Sequence, residues 1–90
     1  MAELGQEVRA CALGQASAAL MGAYVVGRTA EELAEARDAL GAYLAGSRDD
    51  PGGWPGLAIF ADARGYSARH AAILLPFAAA AEAASRAPVR

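Results

Sequence analysis

From Cys11 onward the apolar positions of the chain recur at helical spacing. Leu13, Ser17, Leu20 and Tyr24 fall at offsets of 4, 7 and 11 residues, while Ala12, Ala16, Ala19 and Ala23 make a small-residue face suited to close packing. Gly27 follows Val26 where a helix C-terminus favours glycine. Upstream, Glu3 to Arg9 alternate loosely, with Leu4 and Val8 apolar around Gln6 and Glu7, which predicts a short strand or extended lead-in. Thr29-Ala-Glu-Glu32 is a capping box, because the Thr29 hydroxyl can accept from the Glu32 amide while Glu32 reaches back to the Thr29 amide. A second helix therefore starts at Ala30 and runs to about Leu44. Its inner stripe is Leu33, Ala36, Leu40, Tyr43 and Leu44, and its outer face carries Glu31, Glu35 and Asp38.

The stretch from Gly46 to Gly56, Gly-Ser-Arg-Asp-Asp-Pro-Gly-Gly-Trp-Pro-Gly, is dense in turn residues and has no apolar period. It predicts a mobile loop over residues 46–56, with Trp54 as its anchor on the core. Leu57, Ile59 and Phe60 then suggest a short helical or irregular segment that docks on the core before Gly65. A last helix is expected from Ser67, as N-cap, to about Ser85 through His70, Ile73, Leu74, Leu75 and Phe77. Pro76 inside it lacks an amide donor and should bend or loosen it. The pattern gives one domain spanning residues 1–90, mostly α, with three to four helices and at most one short N-terminal strand.

Composition narrows what such a domain can be. The chain has 90 residues, 56% of them apolar, but 26 are alanine, so the core is thin. All eight basic residues are arginines spread along the chain, and ten acids give a net charge of −2. The basic patch of a nucleic-acid binder is missing. A single cysteine forms no internal disulfide, which favours a reducing compartment. The apolar run from Ala71 to Ala81 is broken by Pro76 and is shorter than the roughly 20 residues of a membrane span. Met1-Ala-Glu-Leu has no basic region of the kind that opens a signal peptide.

Few residues carry recognisable chemistry. Cys11, read as standing just before a helix, would have free amides and the helix dipole to favour its thiolate, making it a metal ligand or sulfur nucleophile. The plainer reading is a small buried hydrophobe among alanines. His70, the single histidine, shares a helical face with Leu74 and Phe77, where a structural histidine is the commoner case than a ligand. No phosphate loop, paired-carboxylate site, zinc cluster or Ser/His/Asp set is present.

The block Val8-Arg-Ala-Cys-Ala-Leu-Gly-Gln-Ala-Ser-Ala18 resembles the second cysteine motif of the NifU/IscU/SufU-type iron-sulfur cluster assembly scaffolds, where a strand ends in a cysteine followed by a small-residue helix. Val26-Gly-Arg-Thr-Ala-Glu-Glu-Leu33 resembles the family's link between its two central helices. Tyr66-Ser-Ala-Arg-His-Ala-Ala-Ile-Leu-Leu75 resembles the stretch that leads through an arginine to the third cysteine and the C-terminal helix. The resemblance covers Leu4 to about Ala84. It implies the family's α+β fold, a transient iron-sulfur cluster or zinc held with Cys11 as ligand, and no enzymatic activity. It also implies a cytoplasmic, bacterial protein that works with a cysteine desulfurase, which can leave a persulfide on Cys11, and with iron-sulfur acceptor proteins.

Two departures temper those implications. The family's N-terminal sheet region, which bears the first cysteine and an acidic partner, has no counterpart here, so the sequence reads as a partial, C-terminal scaffold domain. Aligning Arg69 with the family's arginine puts Ala72 at the third cysteine. His70, two residues away and about 200° around a helix, does not replace that ligand directly; Arg69 and His70 are auxiliary candidates only. Stable clusters use about four protein ligands, so the chain should hold iron or zinc weakly or not at all, unless two chains pool their Cys11 thiolates as a homodimer. A different reading is a non-catalytic helical interaction module that self-associates through its alanine faces. A third, a sulfur-transfer enzyme with Cys11 as nucleophile, needs a cation nearby, with Arg9 and Arg69 as candidates. None of these readings involves nucleic acid or membrane.

Overall fold

A computed structural model describes the backbone of residues 2–86 and the side chains from Cys11 to Arg86. It contains α1 (Ala2–Tyr24), α2 (Ala30–Leu44), a short 3-10 helix (Leu57–Ala63) and α3 (Ser67–Arg86), with no strand among the described residues. The mostly helical expectation holds, but the strand expected at Glu3 to Arg9 does not. Leu4 and Val8 are four residues apart, a spacing that suits a helix turn as well as an extended segment, and no glycine or proline separates Val8 from Cys11. The helix predicted from Cys11 therefore continues back to Ala2.

The second helix has the predicted limits because both ends are chemically defined. At its start the Glu32 amide donates to Thr29 Oγ1 at 3.1 Å and the Thr29 amide donates to Glu32 Oε1 at 3.2 Å, a complete capping box. At its end the Gly46 amide donates to the Tyr43 carbonyl and the Ser47 amide to the Ala42 carbonyl, with Gly46 at φ 85°, which is a Schellman stop. Arg64 fastens the same end from the 3-10 helix. Its Nε donates to the Tyr43 carbonyl at 2.7 Å, its Nη2 donates to the Arg48 carbonyl at 2.9 Å, and its guanidinium lies 4.4 Å from the centre of the Tyr43 ring.

The last helix is the central one. Both α1 and α2 pack along it, and their own backbones do not approach each other. Leu40, Leu44, Leu57, Phe60, Ile73 and Phe77 form the fully buried core. Trp54 anchors the 46–56 loop as expected: its ring meets Phe77 edge to face at 5.1 Å, and its Nε1 donates to the Leu20 carbonyl at 2.9 Å. Ile59, expected to dock on the core, faces out instead, as does Leu75 of the last helix. Leu75 is 66% exposed and Ile59 is 61% exposed, because the buried stripe of α3 follows Ile73, Phe77 and Ala81, and that of the 3-10 helix follows Leu57, Phe60 and Ala63. Ser67 is the first residue of α3 rather than its cap.

Pro76 lies inside α3 without ending it. A proline at this position has no amide to give the carbonyl four residues earlier, which is that of Ala72. Gly14 of α1 stands against this place: a Cβ there would be 3.5 Å from the Ala72 carbonyl oxygen and 3.8 Å from the Ala72 Cβ. One residue on, the buried Ser17 hydroxyl donates to the Ile73 carbonyl. The close approach of α1 to α3 thus rests on a missing side chain and one hydroxyl, beside the proline.

Candidate functional site

Cys11 is exposed and is the tenth residue of α1, not a residue at its start. The helix N-terminus lies about 14 Å back along the axis, at 1.5 Å per residue, and its dipole acts only within the first turn. The free amides of the helix end are therefore out of reach of the thiol, and Cys11 is not a buried hydrophobe. One turn further on, Gly14 comes close to Ala72 of α3: a Cβ on Gly14 would stand 3.5 Å from the Ala72 carbonyl oxygen.

The auxiliary candidates face elsewhere. His70 is half-buried with Nε2 3.1 Å from the Ala63 carbonyl oxygen, tying the start of α3 to the 3-10 helix. Arg69, also half-buried, stacks its guanidinium 4.3 Å from the centre of the Tyr66 ring. A nearby carboxylate, Asp62, is exposed on the 3-10 helix, one residue before Ala63. Among the described residues, no three His, Cys, Asp or Glu side chains come together in a way that could hold a metal ion. The chemistry displayed on the described part of α1 is a single accessible thiol, one turn before the point where Gly14 meets α3.

A concavity lies between α2 and the 46–56 loop. The 46–56 loop folds back on the outer face of α2 and leaves an open groove of about 550 Å³ lined by Arg28, Glu32, Glu35, Asp38, Arg48 and Trp54, among others. Its charges are largely paired. Arg28 Nη1 is 3.3 Å from Glu32 Oε2, and its guanidinium lies 5.0 Å from the centre of the Trp54 ring. Arg48 Nη2 is 3.0 Å from Asp50 Oδ1, which also accepts from the Gly52 amide at 2.9 Å. The hydrogen bond from the Thr29 amide, helped by Arg28, holds the Glu32 carboxyl below its ordinary value, and the Gly52 amide, helped by Arg48, does the same for Asp50. The Asp50-Pro-Gly52 turn was the available signal, since an aspartate that accepts from the amide two residues on reverses the chain.

No protein-family model, curated protein or solved structure matches this chain. Among the described residues no helix is long and apolar enough to cross a membrane.

Proposed function

We propose that this chain is the helical part of an iron-sulfur cluster assembly scaffold of the NifU/IscU/SufU type, with Cys11 as its iron or cluster ligand. In that reading the complete domain has the family's α+β fold and works in a reducing, cytoplasmic setting with a cysteine desulfurase and acceptor proteins, without catalysing a reaction itself. The supporting observation is the Gly14–Ala72 contact. Gly14, one turn on from Cys11, stands close to Ala72, which lies 58 residues further along the chain at the position set against the family's third cysteine. A scaffold needs thiolates that converge at an accessible rim, and Cys11 is accessible.

One thiolate is too few for a cluster, since stable sites use about four ligands. The chain alone therefore holds iron or zinc weakly, and firm binding needs two chains to share their Cys11 thiolates. Anaerobic reconstitution, desalting and metal analysis of the native chain, Cys11→Ser and Ala72→Cys test this reading. Little metal on the native chain, none on Cys11→Ser, and a Cys11-dependent rise on Ala72→Cys are expected. Roughly one tightly held metal per chain that survives Cys11→Ser would overturn the assignment.

A self-associating interaction module is the second reading, favoured by Leu75. It is 66% exposed in the middle of α3, with exposed Ala71 and Ala79 one turn to either side. Sedimentation should show concentration-dependent association that Leu75→Asp removes; a folded monomer at high concentration would exclude it.

A further inference from the structure

We draw no further inference here: the strongest candidate, the open groove between the outer face of α2 and the 46–56 loop, already pairs its two arginines with Glu32 and Asp50, and nothing in the structure shows what would occupy it.

Discussion

Between α2 and α3 the contact is made of large apolar side chains, with Leu40, Leu44, Ile73 and Phe77 fully buried and the 3-10 helix adding Leu57 and Phe60. Between α1 and α3 it is made of something else. Ser17 is the one fully buried side chain on the described part of α1, and Leu13, Ala16, Leu20 and Met21 reach the core only in part. Burial of apolar area contributes roughly 25 cal/mol per Å², so the two contacts differ in strength even though α1, at 23 residues, is longer than α2, at 15. Cys11 rides on the element with the lighter anchor. Local opening draws on the least buried elements first, so α1 can loosen at lower cost than α2 and α3 can separate.

The difference is broken most severely from the apolar side. Phe77 is fully buried against Trp54, and Phe77→Ala should cost about 3–5 kcal/mol. That is a large share of the stability of a small domain, roughly 5–15 kcal/mol, so urea titration should find a much lower midpoint for the variant. Ser17→Ala, on the other contact, removes one hydrogen bond to the Ile73 carbonyl and should cost about 1 kcal/mol. Equal losses for the two variants would show that α1 is anchored as firmly as α2.

Gly56 connects the two regions and carries the next largest effect. It opens the 3-10 helix at φ 85°, and a Cβ there would stand 2.7 Å from Leu20 Cδ2 of α1. An alanine must adopt a left-handed backbone and also displace a side chain whose methyl end can swing aside. The expected cost of Gly56→Ala is about 1–2 kcal/mol, read as a lower urea midpoint. Amide exchange should speed up most in the second half of α1, because Leu20 is what moves.

The start of α2 is polar and responds to pH. Thr29→Ala removes one half of the capping box, at about 1 kcal/mol. Its partner Glu32 has a folded-state value below its ordinary 4.5, chiefly from the Thr29 amide and then from Arg28. A carboxyl with a depressed folded value contributes stability above its unfolded value and loses it as pH falls through the folded one. Stability should therefore fall with acidification below about 4.5, and Glu32→Gln should shallow that slope. An unchanged slope would mean that other carboxyls, Asp50 with its Gly52 amide first among them, carry the acid response.

The parts of this fold that were legible in the sequence are those set by local chemistry. Thr29 and Glu32 define a helix start between themselves, Gly46 supplies a stop, and the stripe of Leu33, Leu40, Tyr43 and Leu44 is buried as its spacing requires. Glu3 to Arg9 is ambiguous, because Leu4 and Val8 satisfy the strand and helix periods at once in so short a window. The same ambiguity bears on the site, since it decides whether Cys11 stands at a helix start or, as in the structure, in a helix interior. The outward turn of Leu75 and Ile59 was hidden for a different reason. For Leu75, which side of a nearly all-apolar helix is covered depends on where its neighbours lie, and Ala71 to Ala81 offers no polar stripe to mark the open side; Ile59 shares its side of the 3-10 helix with exposed Asp62, a signal visible only once the 3-10 period is known. The proximity of Gly14 to Ala72 is a tertiary fact with no local trace.

The smallest expected effect runs in the opposite direction and sharpens the comparison from the α1 side. Gly14 lies in a helix interior, where glycine is less favourable than alanine by about 0.5–1 kcal/mol. A Cβ at this position would be 3.5 Å and 3.8 Å from the carbonyl oxygen and Cβ of Ala72, ordinary packing distances. Gly14→Ala should therefore stabilise the chain by about 0.5–1 kcal/mol, raising Tm by a few degrees at roughly 4–8 °C per kcal/mol for a domain of this size. Amide exchange in α1 should slow more than in α2, because the added methyl also fills the α1–α3 seam. A loss of stability would mean that α1 and α3 must approach through a bare α-carbon beside the carbonyl that Pro76 leaves without a donor, making the seam a closer-fitted contact than its small residues suggest.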